Sequence, residues 1–184
     1  LCDLLICTCY CGPSCTSNCR NYQALRHLVV QRLMPIRQIT IVGTGLIGGS
    51  LGLALKKYGF SGRIIGCDRA AVPERARNKG AINSGHTNPS DAVRGSDLIV
   101  LATPVGAVID MIGHLGPALP PRTLMTDVGS TKAEVLAKAR LVFGKNQARR
   151  FLAGHPMAGK EQSGVEFAHA ELFRGAAWFV TPAP

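Results

Sequence analysis

The chain has 184 residues, 46% of them hydrophobic, with a formal net charge of +10 and a pI of about 9.7. That length and apolar content suffice for one domain with its own core and exclude a disordered or fibrous chain. The basic residues are scattered, Arg149-Arg150 being only a pair, and aromatics reach just 5%, so no nucleic-acid partner is read; the charge fits either a plain basic domain or the attraction of a small polyanionic ligand.

The first stretch is unlike the rest. Cys2, Cys7, Cys9, Cys11, Cys15 and Cys19 crowd it, and Cys67 is the next cysteine. Their spacings match neither CxxC pairs nor a Cys/His zinc pattern, so no metal site is expected. A basic region before a long apolar core is lacking, which argues against a signal peptide. No run reaches the ~18 apolar residues of a membrane span. The chain opens on Leu1, and Met34-Pro35-Ile36-Arg37 stands directly before the first regular strand, as a natural N-terminus does. Residues 1–33 therefore read as a non-native or disordered extension, and residues 34–184 as one domain.

Ile39 to Val42 are β-branched and run straight into Gly43, a buried-strand signal. Leu51, Ala54, Leu55 and Tyr58 recur at helical spacing, and Gly59 supplies a C-terminal stop. Arg63 to Cys67 reads as a second strand, ending at Asp68. Pro73 opens a short charged helix through Lys79. Asn88-Pro89 has the form of a cap and first turn of another short helix. Asp97 to Thr103 (DLIVLAT) is the strongest strand signal, and a helix follows Pro104. Thr123 to Val128 is a further strand. Thr131 and Glu134 fit a capping box, with Val135, Ala139 and Val142 as the apolar stripe behind it. Phe151 to Gly154 and Ala177 to Thr181 complete the set. Alternating strands and helices predict an α/β fold, a doubly wound and mostly parallel sheet with helices on both faces.

Gly43-Thr44-Gly45-Leu46-Ile47-Gly48 matches GxGxxG, follows a strand, opens a helix and lies 20 residues before Asp68. In that context the pattern is a dinucleotide fingerprint. Gly43 permits the tight turn, Gly45 lets the backbone approach a pyrophosphate, and Gly48 allows close helix–strand packing. Leu46 and Ile47 fall in the first helical turn, whose free N–H groups and dipole favour phosphate. Asp68 is placed to accept hydrogen bonds from the ribose hydroxyls. Its charge repels a 2′-phosphate and favours NAD, although Arg69 beside it could stack on adenine or meet that phosphate. Thr103-Pro104 ends a central strand, where it either borders the nicotinamide or is an ordinary turn.

Asp127-Val128-Gly129-Ser130-Thr131-Lys132 carries a cation in a first helical turn, against the helix dipole, which points to a nearby anion, either cofactor or substrate, or to simple solvation. His155 stands between Gly154 and Pro156. The proline biases it to extended backbone at a strand end, and the glycine leaves its ring uncrowded. An imidazole there can take a proton from a substrate hydroxyl. His86, His114 and His169 have no such setting.

Together, ITIVGTGLIGGSLGLALK, DLIVLATPV, DVGSTK and GHPMAGKEQSGVEFAHAELFRGAAW resemble the prephenate dehydrogenase family, which includes arogenate dehydrogenases. The resemblance covers about Ile36 to Pro182. DVGSTK and HPMAGKEQSG are its specific parts. It implies NAD-dependent oxidative decarboxylation of prephenate or arogenate in tyrosine biosynthesis, in the cytoplasm. By motif, His155 resembles the group that polarises the 4-hydroxyl, and Ser130 the serine that contacts that hydroxyl and orients the histidine. Glu161 resembles a residue gating the substrate pocket, while Lys132 and Gln162 border the site without an assigned role. Family members continue into a helical domain that forms a homodimer and supplies an arginine for a substrate carboxylate. The resemblance thus makes this chain a cofactor-binding half, with the substrate and dimerisation domain expected after residue 184. Two other readings compete: another dehydrogenase of the β-hydroxyacid type, and a non-catalytic NAD-binding module that senses cofactor or pairs with a partner chain.

Overall fold

The structure, a computed structural model, describes residues 36–181, and the extension read over residues 1–33 lies outside them. Strands and helices alternate from Gln38 onward. They are β1 (Gln38–Val42), α1 (Leu46–Lys57), β2 (Arg63–Cys67), α2 (Val72–Asn78), β3 (Ser84–His86), α3 (Pro89–Ala92), β4 (Leu98–Leu101) and α4 (Val105–Leu115). Then follow β5 (Leu124–Asp127), α5 (Ala133–Phe143), α6 (Gln147–Arg150), β6 (Phe151–Pro156) and β7 (Trp178–Thr181).

The seven strands form one sheet in the order β3-β2-β1-β4-β5-β6-β7. The first six are mutually parallel and β7 runs antiparallel to β6. This is the predicted doubly wound sheet, with the strand order reversing between β1 and β4. Ligands of such sheets bind outside the carboxyl ends of the strands at that reversal.

Alternation along each strand sends side chains to two cores. Val42, Ile65, Cys67, Ile99, Leu101 and Met125 face α4 and α5, meeting Val108, Ile112, Val135 and Ala139. Ile39, Ile41, Ile64 and Val100 face the opposite side, against Ala76 of α2 and Leu51, Leu53 and Leu55 of α1. The Val135–Ala139 stripe is buried as predicted, with Val142 packed against the same cluster. Asp97 ties the strand starts together: its carboxylate accepts the N–H of Arg37 at 2.8 Å and of Gln38 at 3.1 Å. Those two bonds hold its carboxyl below the usual carboxylate range.

Several expectations are corrected. Tyr58 is not part of the buried stripe of α1. It is 60% exposed at the helix C-cap, and its hydroxyl donates to Glu171. The buried face is formed instead by Leu46, Gly48, Gly49, Ser50 and Gly52. β3 was absent from the predicted set, because Ser84-Gly85-His86 lacks any β-branched apolar residue. β6 runs two residues further than predicted, which places His155 inside the strand, paired with Phe179. The Thr131–Glu134 capping box does not form: α5 begins at Ala133 behind Lys132, so Glu134 sits one position too early.

Gly52 marks how close α1 lies to the chain beneath it. A Cβ there would stand 2.2 Å from the Ala81 carbonyl oxygen, which is backbone and cannot rotate away. Gly52→Ala is expected to destabilise the fold by about 3 kcal/mol through overpacking. Chemical denaturation measures this, and an unchanged midpoint contradicts the packing.

Candidate functional site

The site begins where β1 ends. Gly43 turns the chain at φ +94°, a conformation L side chains rarely adopt, and donates its N–H to the Cys67 carbonyl at 2.8 Å. A Cβ on Gly43 would strike the Ala102 carbonyl at 2.4 Å, and one on Gly48 would strike the Gly43 carbonyl at 1.9 Å. A Cβ on Gly45 would meet nothing within 4 Å. Two of the glycines are therefore demanded by internal packing, whereas the third opens the loop outward, where a ligand's phosphates can approach. Gly45 is also the N-cap of α1. No side chain caps this end, and no acidic residue stands in its first turn. The amino end of α1, with Leu46 and Ile47 in its first turn, thus offers N–H groups and dipole to an anion.

Asp68 follows β2 beside this loop. Its Oδ2 accepts the Thr44 N–H at 2.7 Å, and its Oδ1 accepts the Arg69 N–H at 2.8 Å. Both oxygens are held by backbone, so the carboxylate has a fixed position. Thr103 and Pro104 lie across the reversal at the end of β4. The Thr103 methyl stands 2.9 Å from where a Gly43 Cβ would be, and its Oγ1 is buried without a hydrogen-bond partner among the described residues. The cradle fits a dinucleotide on geometry alone: an open glycine loop, an uncapped helix start, a fixed carboxylate one strand away and a facing loop one strand the other way.

Ser130, Lys132 and His155 stand further along the same edge. Ser130 is exposed three residues beyond β5, and among the described residues it makes no hydrogen bond to His155. Lys132 meets an anion within the chain, the carboxylate of Asp127, which is fully buried. Sequence reasoning passed over Asp127, although an acidic residue closing a buried strand signals a paired charge. His155 is half-buried one residue before the end of β6, on the adjoining strand. Glu161 and Gln162 are exposed on the loop after β6 and, among the described residues, form no hydrogen bond or ion pair.

A groove of about 620 Å³ lies past β3, lined by Pro73, Arg77, His86, Asn88 and Asp91 among others. Neither the glycine loop nor Asp68 lines it, so it is separate from the cradle. No cluster suited to a metal ion occurs among the described residues. No helix among them is long and apolar enough to cross a membrane.

The sequence profile of the family described as "Prephenate dehydrogenase, nucleotide-binding domain" matches residues 51–184. The chain belongs to the prephenate dehydrogenase family. The profile starts inside α1, so the glycine loop adds to it rather than underlying it. Prephenate dehydrogenase of Bacillus subtilis is 38% identical over 146 residues, covering 78% of this chain and 39% of that protein. That of Lactococcus lactis is 35% identical over 150 residues, covering 79% and 41%. The chain thus spans about two fifths of the curated relatives' length. The structure of the Aquifex aeolicus prephenate dehydrogenase, solved with hydroxyphenyl propionate and NAD+, superposes with a TM-score of 0.73 at 32% identity. That superposition covers 82% of this chain and 52% of the other. These matches set aside the β-hydroxyacid alternative.

Cys67 lies beneath the cradle, 2% exposed. Burial, and secondarily the neighbouring Asp68 charge, push its thiol up to about 11. In the folded chain Cys67 is expected to resist iodoacetamide at mildly basic pH and to react on unfolding, as mapped by peptide mass spectrometry. The raised value also sets the sign of a pH effect. Its contribution to stability is complete below the ordinary thiol value of 9.0 and is lost as pH climbs through about 11. Rapid native alkylation of Cys67 contradicts this account.

Proposed function

We propose that this chain is the NAD-binding part of an enzyme that oxidatively decarboxylates prephenate or arogenate, a step of tyrosine biosynthesis. The carrying observation is that one rim of the sheet gathers the glycine loop, Asp68, Thr103 and His155 at the ends of parallel strands. Family membership and the NAD+ complex of the Aquifex aeolicus relative support the same reading. A homodimer in the cytoplasm belongs to this proposal.

The residues divide the work by position. Gly45, Leu46 and Ile47 present backbone N–H groups to a pyrophosphate. Gly43 and Gly48 keep that surface in place. Asp68, held by the Thr44 and Arg69 amides, accepts the ribose hydroxyls and cannot swing aside for a 2′-phosphate. Thr103 and Pro104 line the cleft beyond the reversal, on the side of the nicotinamide. NAD, when bound, supplies the hydride acceptor. His155 then hydrogen-bonds the substrate 4-hydroxyl through a ring nitrogen and takes its proton as the carbon beneath it is oxidised. The ring carboxylate leaves as carbon dioxide, its bonding electron pair passes through the ring to that oxygen, and His155 returns the proton to give the phenol. Ser130, on the adjoining loop, contacts the same hydroxyl and limits the ring's orientation. Glu161 borders the entrance.

Two outcomes are expected. The 184-residue chain binds NAD at least ~10-fold more tightly than NADP, since the 2′-phosphate meets a like charge that cannot move. Calorimetric titration checks this, with Asp68→Ser narrowing the gap; equal affinities show that Arg69 prevails. In the full-length protein His155→Ala lowers kcat by ~10²–10⁴-fold with NAD affinity little changed. Prephenate- or arogenate-dependent NADH formation measures it, and near-normal turnover removes His155 from the mechanism.

A further inference from the structure

We propose that Asp127 is a positioning residue whose buried carboxylate holds, from beneath, the two segments carrying Ser130 and His155. The proposal rests on the roles given above to those two residues. Asp127 is 0% exposed at the end of β5. Its Oδ2 accepts the Gly129 N–H at 2.9 Å and the Lys132 ammonium. These two contacts fall on either side of Ser130 in the chain, so the loop presenting Ser130 is fastened at both ends to one oxygen. Oδ1 accepts the Gly154 N–H at 3.4 Å, one residue before His155. A single carboxylate therefore joins β5, the Ser130 loop and β6.

The glycines around it leave no slack. A Cβ on Gly129 would lie 3.1 Å from Asp127 Oδ2, and one on Gly154 would lie 2.8 Å from the Asp127 carbonyl oxygen. A buried carboxylate is tolerated only when paired and hydrogen-bonded, and an apolar pair of similar volume generally serves stability as well. Lys132 completes the pairing with its side chain 15% exposed, at the start of α5 where a cation opposes the helix dipole. Neither member suits its own element. What the pair does accomplish is to fix the distance between two strand ends that carry the reactive groups, a spacing to which turnover is acutely sensitive.

The test has two arms. In the 184-residue chain, Asp127→Ala is expected to speed amide exchange at Gly129 and Gly154 at least ~10-fold, with β1 and β2 unaffected, and to move the His155 ring NMR signals. Asp127→Asn keeps an acceptor oxygen and gives a smaller change. Asp127→Asn leaves no unpaired buried charge on β5 and carries this arm alone if the alanine variant does not fold. In the full-length protein, Asp127→Asn lowers kcat by up to ~10²-fold and Asp127→Ala by more, while the NAD Kd stays within about twofold. Unmoved His155 signals together with normal kcat overturn the proposal. A loss of NAD affinity matching the loss of kcat also overturns it, because Asp127 then supports the fold at large. If the unaltered protein oxidises neither prephenate nor arogenate, the proposed function fails, and the exchange and ring-signal arm still decides the role of Asp127.

Discussion

Helix α1 lies so close to the loops beneath it that positions 48 and 52 admit only hydrogen, with the carbonyls of Gly43 and Ala81 1.9 Å and 2.2 Å from where a methyl would stand. That closeness governs the rest of the site. It forces the chain to leave β1 through the left-handed turn at Gly43, and it sets the amino end of α1 at the reversal between β1 and β4. From there the helix dipole, the Thr44 amide that fixes Asp68, and the outward-facing Gly45 are set by these two contacts. A larger residue at either position must displace backbone, which cannot rotate aside as a side chain can.

The segment after β6 binds the two halves of the rim together. From His155 it crosses to α1, where Val165 and Ala168 press on Gly49. Glu166 pairs with Arg75 of α2, and Glu171 pairs with Lys57 of α1. The His169 N–H donates to the Ser50 hydroxyl at 3.0 Å. The surface ion pairs contribute little individually. The apolar contacts on Gly49 matter more, because they let the segment bearing the histidine support the helix bearing the phosphate surface. The run that follows HPMAGKEQSG is thus a structural brace, with Val165 and Ala168 packed on Gly49.

What was legible in the sequence was what local chemistry alone dictates. The β-branched run Ile39–Val42 makes a strand, and Gly43 and Gly48 stand where φ and packing permit no other residue. Asn88 caps α3 through Ser90 as its dipeptide suggested. The failures are of another kind. Ser84–His86 becomes a strand only because β2 offers it an open edge. Tyr58 has the right helical phase but falls at the helix end, where the sheet no longer lies beneath it. The lysine's awkward position suggested a cofactor or substrate anion, whereas strand β5 delivers the anion from within the chain as Asp127. The antiparallel course of β7 is set by the long brace that precedes it, which no periodicity records.

The central claim is that the reversal between β1 and β4 forms the dinucleotide cradle, rather than the groove of about 620 Å³ beyond β3. Titrating NAD into the isotopically labelled chain and following amide chemical shifts tests this most directly. The account predicts that the largest changes fall on Gly45, Leu46 and Ile47, with Asp68 and Thr103 next, and that Arg77, His86 and Asn88 stay nearly still. Changes concentrated around His86 and Asn88, with the glycine loop unmoved, would contradict it.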